Sequence, residues 1–123
     1  MTSAVSADNH KTVVKALEWT CQRIQEKVDK LEKLDHDTKL WERCIKSTSK
    51  YFPPFSEETY NKKVQEKAEL VAFLPLEIDA ARALKQIIDE APPIKGCKCG
   101  IHFAERHYGP FMYPWVYVRY NDN

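Results

Sequence analysis

Residues 14–31 read VKALEWTCQRIQEKVDKL, and their pattern sets the fold class of the whole chain. Apolar residues recur there at spacings of three and four, which predicts an amphipathic helix with a continuous apolar seam. Charged side chains of both signs fill the positions between them, as on the solvated face of a helix. The seam, called the heptad seam below, consists of Val14, Leu17, Cys21, Ile24, Val28 and Leu31.

A heptad seam has two possible uses. It can pack inside the chain's own helical bundle, or it can pair with a helix of another protein or of a second copy of the chain. We therefore take five seam residues as candidate partner-binding positions, and a homodimer is one possible form of that pairing. These candidates are Val14, Leu17, Ile24, Val28 and Leu31.

The helical region extends well beyond the seam, since neither Gly nor Pro occurs before Pro53. Asp35-His36-Asp37-Thr38 has low helix propensity. It therefore predicts a break in the helix, after which a second helix would start. One continuous helix of about 40 residues, roughly 60 Å long, is the alternative. We predict two helices over residues 10–50.

Three prolines divide the next part of the chain. Pro53 and Pro54 predict an extended connector, because a residue that precedes proline is disfavoured in the helical conformation. Ser56 is a predicted N-cap for a third helix, which Pro75 would end or kink. Residues 76–90 would form a fourth. The sequence therefore predicts a mainly α fold with a four-segment antiparallel helical bundle.

The composition changes sharply at Ala91-Pro92-Pro93. All three glycines, four of the seven prolines and half of the aromatic residues lie from Pro92 onward. Such a shift is typical of a boundary between regions. We predict a disordered N-terminus over residues 1–9, a helical bundle over residues 10–91, and a C-terminal module over residues 92–123 that packs on the bundle.

The C-terminal module contains a candidate β-strand from Trp115 to Tyr120, rich in aromatic and β-branched residues. Residues 101–103 are its candidate partner, which would give a small β-hairpin. A lone hairpin is marginally stable in water, so it must pack on the helices or hold a metal. The sequence predicts either a Gly/Pro/aromatic β-hairpin or a zinc-knuckle-like appendage.

The same module carries a clustered set of possible metal ligands. Thiolates and neutral imidazoles are ligands that Zn²⁺ prefers at tetrahedral sites, so zinc is the predicted metal. The predicted ligands are Cys97, Cys99, His102 and His107. One residue between the cysteines is fewer than zinc knuckles commonly have. Ordinary thiols on a turn, or a strained disulfide between the two cysteines, are the alternatives.

Length, charge and hydropathy restrict the remaining possibilities. The 123 residues suit one domain, and a formal net charge of +1 creates no global field toward nucleic acid or an anionic membrane. The polar first nine residues lack the features of a signal peptide, and no apolar run is long enough to span a bilayer. We expect a cytoplasmic or nuclear protein that has no membrane partner.

These features favour a non-enzymatic interaction or adaptor protein that binds another protein or itself. Besides the heptad seam, Tyr113, Trp115 and Tyr117 are candidate partner-binding residues, since Tyr and Trp suit interfaces. The chain has no HExxH motif, phosphate-binding glycine loop or nucleophile elbow, so catalysis is not favoured.

Binding of single-stranded RNA or DNA is the alternative function. The C-terminal module mixes cations with aromatic rings on which bases can stack, and this combination is typical of single-strand binding. The candidate nucleic-acid contacts are Lys95, Lys98, Arg106 and Arg119.

Overall fold

The computed structural model describes residues 7–46, 52–90 and 99–120, and it describes side chains for residues 11–46, 52–90 and 102–117. The elements in chain order are α1 (Ala7–Lys46), α2 (Glu57–Glu90), β1 (Cys99–Tyr108) and β2 (Phe111–Tyr120). The predictions of a mainly helical chain and of a C-terminal β-hairpin are confirmed. The prediction of four helical segments is wrong, because each predicted pair is one continuous helix.

Helix α1 continues through Asp35–Thr38, where the sequence predicted a break. The buried Thr38 hydroxyl donates to the Asp35 carbonyl at 3.1 Å, so it is satisfied within α1 and does not cap a new helix. Asp35 forms ion pairs with Lys39, one turn later, and with Lys67 of α2. Tertiary burial and charge pairing thus override the weak helix propensity of this segment.

Helix α2 likewise continues through Pro75. Proline lacks the amide hydrogen that would bond the carbonyl of Val71, and such a residue costs a helix interior about 3 kcal/mol. Leu74 and Ile78 on either side are buried, and this packing offsets the loss. The predicted N-cap is confirmed: the Ser56 hydroxyl accepts from the Thr59 amide at 3.2 Å.

The chain forms two compact units. The first unit comprises Met1–Ile24 and Pro75–Asn123, so within its described part the start of α1, the end of α2 and the hairpin belong together. The second unit is Gln25–Leu74, which holds the rest of both helices and their connector.

The second unit is an antiparallel pair of helical segments. Lys30 pairs with Glu66 and Asp37 pairs with Lys63, so partners on α2 move backward as α1 moves forward. Near the connector, the Trp41 and Tyr60 rings stack with centroids 4.0 Å apart. Its buried apolar residues on α1 are Val28, Leu31 and Leu34.

Neither of the two helices, over the residues that are described, combines the length and apolar character needed to cross a bilayer.

Candidate functional site

The hairpin of the first unit is the most distinctive candidate site, and its turn fixes which backbone groups face outward. Gly109 has a φ of 56°, as the first central residue of a type II′ turn requires, and Pro110 follows it. Tyr108 and Phe111 flank a two-residue turn and therefore form a hydrogen-bonded pair. Non-hydrogen-bonded and hydrogen-bonded pairs then alternate along the ladder away from the turn. Every second residue of each strand therefore points its N–H and C=O groups away from the partner strand.

The outward-facing residues follow from the register. Phe103 pairs with Val116, Glu105 with Pro114, and His107 with Met112, all at non-hydrogen-bonded positions. Pro114 supports this assignment, because proline has no amide hydrogen and within sheets occurs where none is needed. The hairpin thus has two outer edges, one on each strand.

The outer edge of β2 is covered by helix side chains. The buried thiol of Cys21 on α1 donates to the Pro114 carbonyl, with 3.2 Å between sulfur and oxygen. The Val116 amide donates to the same sulfur. One cysteine therefore satisfies an acceptor and a donor of an otherwise unpaired strand edge.

Burial raises the pKa of the Cys21 thiol, since the thiolate would be poorly solvated there. The Val116 amide opposes this shift by stabilising the thiolate, but burial is the larger cause. The arrangement keeps Cys21 as a neutral thiol that can donate its proton to Pro114.

Arg82 on α2 covers the tip of the same edge. Its guanidinium donates to the Met112 carbonyl at 3.0 Å and to both Glu105 carboxylate oxygens at 3.2 and 3.3 Å. The Arg82 guanidinium thus contacts both strands, and it binds the Glu105 carboxylate through both oxygens. Lys85, one turn further along α2, places its ammonium 4.9 Å from the centroid of the Phe103 ring.

The outer edge of β1 contrasts with that of β2. Within the described residues, no hydrogen bond reaches the outward backbone groups of Phe103, Glu105 and His107. The constant register over all ten pairs shows no bulge, and β1 contains neither proline nor lysine. Proteins commonly use bulges, prolines or lysines to keep an edge strand from pairing with another chain, and β1 has none of these three features.

The predicted aromatic contact residues differ widely in exposure. Tyr113 is buried, and Trp115 is half-buried beneath Arg106, whose guanidinium carbon lies 3.9 Å from the Trp115 ring centroid. Arg106 also donates to the Tyr117 hydroxyl at 3.2 Å. Tyr117 retains 47% exposure, so it is the residue of the three that a partner can reach most readily.

The predicted heptad-seam contacts lie in the core. Val14, Leu17, Ile24, Val28 and Leu31 are each at most 4% exposed. The chain thus uses the seam for its own packing, and a partner would meet these side chains only after the chain opened. This placement makes the hairpin the better candidate for an interface.

The structure does not bring the two predicted histidine ligands together. His102 and His107 are five residues apart on β1, and side chains alternate between faces along a strand, so they project from opposite faces. Both are exposed. Cys97 and the side chain of Cys99 lie outside the described residues, and the rest of the described part shows no ligand cluster. Zinc binding stays a prediction.

The nucleic-acid candidates are likewise only partly described. Lys95, Lys98 and the side chain of Arg119 lie outside the described residues, and Arg106 is the one whose contacts are described. Its guanidinium covers Trp115, a ring that would otherwise be available for base stacking. This alternative also stays a prediction.

Two features of the site were missed from the sequence. The sequence places Cys21 in the apolar heptad seam and gives no sign of its hydrogen bonds to β2. Arg82 was not singled out at all. The signal that could have pointed to both is Pro114, because proline inside a strand indicates an edge that something else must cover.

Comparison with known proteins finds no matching family model, no matching curated protein and no matching solved structure.

Proposed function

We propose that this chain is a non-enzymatic interaction protein that receives an extended segment of a partner protein on the outer edge of β1. The observation that carries the proposal is the difference between the two hairpin edges. Cys21 and Arg82 satisfy the edge of β2, whereas Phe103, Glu105 and His107 present unpaired backbone groups along β1 within the described residues.

An added strand is the partner that such an edge recognises. Each of the three outward residues offers one donor and one acceptor, and each main-chain hydrogen bond contributes about 0.5–1.5 kcal/mol net. Peptide-binding domains use this mode, in which the backbone supplies affinity and alternate side chains supply specificity.

The side chains beside this edge are already positioned. Arg82 fixes the Glu105 carboxylate, and Lys85 lies over the Phe103 ring, so both residues meet a partner with little further loss of side-chain freedom. Met112, opposite His107, and Tyr117 add exposed apolar surface to the hairpin. A backbone edge flanked by apolar and charged side chains suits a partner strand of mixed composition.

The proposal is tested by removing one edge amide. His107→Pro eliminates an outward N–H without breaking the β1–β2 ladder, and His107→Thr is the matched control that alters the side chain but keeps the amide. Extended peptides are selected from a display library against the natural chain, and their affinities for both variants are measured. We expect His107→Pro to weaken binding at least tenfold and His107→Thr to change it little.

Hydrogen exchange locates the binding. Bound peptide should slow exchange at the amides of Phe103, Glu105 and His107, because those hydrogens become bonded. Equal effects of the two His107 variants, or protection confined to residues away from β1, would contradict strand addition.

Sedimentation of the free chain tests whether the partner segment can come from a second copy. Dimerisation that rises with concentration and is lost in His107→Pro would identify β1 of another copy as the occupant. A monomer at all concentrations, together with the selected peptides, would support a separate partner.

A further inference from the structure

The second unit contains an open cleft that plays no part in the hairpin site. It lies where α1 ends and α2 begins and has a volume of about 570 Å³. Its described lining is mostly apolar and includes Trp41, Phe52 and Phe55, with Glu57 at the start of α2. Phe52 is 90% exposed, so one of these rings stands almost wholly in solvent.

The Trp41 ring is fixed in place. Its indole N–H donates to the Phe55 carbonyl at 3.1 Å, and Tyr60 stacks on one of its faces. The Tyr60 hydroxyl in turn donates to Glu42 at 2.6 Å. Because the indole N–H is already used, Trp41 offers the cleft its π surface and not a hydrogen-bond donor.

The charges at the cleft favour a cation. Among the described lining residues Glu57 is acidic and none is basic. The chain itself shows that one of the rings accepts an ammonium: Lys63 lies 5.2 Å from the centroid of Phe55. Asp37 pairs with Lys63 at 3.1 Å, which limits repulsion of a second cation.

We infer that the cleft binds a quaternary ammonium group, such as the trimethylated side chain of a lysine in a partner protein, between the rings of Trp41, Phe52 and Phe55 and beside Glu57. Aromatic faces attract such cations, which have no N–H groups and lose little hydration on entering an apolar site. An unmethylated ammonium would leave N–H groups without enough acceptors here, since the described lining contains one acidic residue, Glu57, and is otherwise mostly apolar.

The first test compares the binding of a charged probe with that of its uncharged isostere. N-acetyl-trimethyl-lysine amide and the isostere that has carbon in place of the charged nitrogen are titrated into the full chain. The readout is the Trp41 indole N–H signal in ¹H–¹⁵N spectra. We expect at least tenfold tighter binding of the charged probe. Equal binding of the two probes, or no shift with either, would overturn the inference.

Variants then test the rings and the carboxylate. Phe52→Ala should weaken the charged probe roughly three- to tenfold and leave helicity unchanged, since the side chain is almost wholly exposed. Glu57→Gln should weaken it less. Phe73→Ala is the control: this exposed ring outside the cleft lies under Lys27, and its loss should leave affinity unchanged. Unchanged affinity in Phe52→Ala, or an equal loss in Phe73→Ala, would overturn the site.

Discussion

Ion pairs join elements in both compact units, but in the first unit helix side chains must also bind a strand edge. The second unit joins its helices with ion pairs, Lys30–Glu66 and Asp37–Lys63 among them, beside a narrow apolar seam. The first unit attaches a β-hairpin to its helices through a neutral thiol, Cys21, and a guanidinium, Arg82.

The difference follows from what each helix segment must bind. Two helices satisfy their own backbone groups internally, so only side chains meet between them, and long charged residues can flank the contact. A strand edge presents backbone donors and acceptors, and helix side chains must satisfy these where they are buried. A buried thiol can do so without the desolvation cost of an ion.

The largest loss of stability should come from substitutions in the apolar core of each unit. Leu17→Ala in the first unit and Leu31→Ala in the second each remove a nearly fully buried side chain, so each should lower the free energy of unfolding by about 2–5 kcal/mol. Urea denaturation followed by circular dichroism measures the loss. A cost below about 1 kcal/mol for Leu17→Ala would show that polar contacts, and not apolar burial, dominate the first unit.

A smaller effect is expected from the thiol. Cys21→Ala leaves the Pro114 carbonyl and the Val116 amide without their partner and should cost about 1–3 kcal/mol. Cys21→Ser keeps a donor and an acceptor at nearly the same place, so it should cost less. Denaturation of the two variants compares them directly, and an equal or larger loss in Cys21→Ser would show that packing alone matters at this position.

The same thiol predicts weakening of the first unit in alkali. The pKa of Cys21 is raised in the folded chain, so its contribution is fully present below the ordinary value of 9.0 and is lost as pH rises toward the raised pKa. Unfolding measured across that range should show a loss that Cys21→Ser lacks. A loss of the same size in that variant would assign the alkaline effect to other groups.

The second unit should instead weaken in acid, and by less. The pKa of Asp35 is held below its ordinary value of 3.8, chiefly by the hydrogen bond from Lys67 and further by Lys39. This stabilisation is present above 3.8 and is lost as pH falls through the lowered pKa. Asp35→Asn should cost at most about 1 kcal/mol at neutral pH, because the pair is partly exposed.

Acid titration of stability then tests the Asp35 pairs. Asp35→Asn should reduce the acid loss, and Asp89→Asn, which removes an exposed pair with Lys85 in the first unit, is the matched surface variant and should cost less than Asp35→Asn at neutral pH. Equal behaviour of the two variants would show that the Asp35 pairs stabilise the chain no more than an exposed surface pair does.

The sequence predicted the heptad seam and the hairpin because each is encoded locally. Apolar spacing of three and four specified the buried face of α1, and the aromatic and β-branched run specified β2. The helix boundaries were harder to predict. Asp35–Thr38 and Pro75 both disfavour a helix locally, and contacts with distant residues, such as Lys67, help to hold the helix through the first of them.

The candidate site was less predictable for the same reason. Cys21 and Pro114 are 93 residues apart, and no local pattern shows that a thiol on a helix will meet a strand carbonyl. The aromatic cleft joins residues on both sides of the connector, which propensity alone treats as separate segments. The sequence shows that these aromatic residues are present. Whether they line one cleft depends on how the two helices pair.

The turn at Gly109 has a consequence for chirality. Its φ of 56° suits a residue of opposite handedness, so an L side chain would be strained there although its Cβ would meet no described atom within 4 Å. A chemically synthesised chain with D-alanine at this position should therefore gain roughly 0.4–1 kcal/mol through a less flexible unfolded state, whereas L-alanine should lose stability. The fold of the hairpin thus selects a mirror-image building block that no gene can supply, and glycine is the nearest substitute that translation offers.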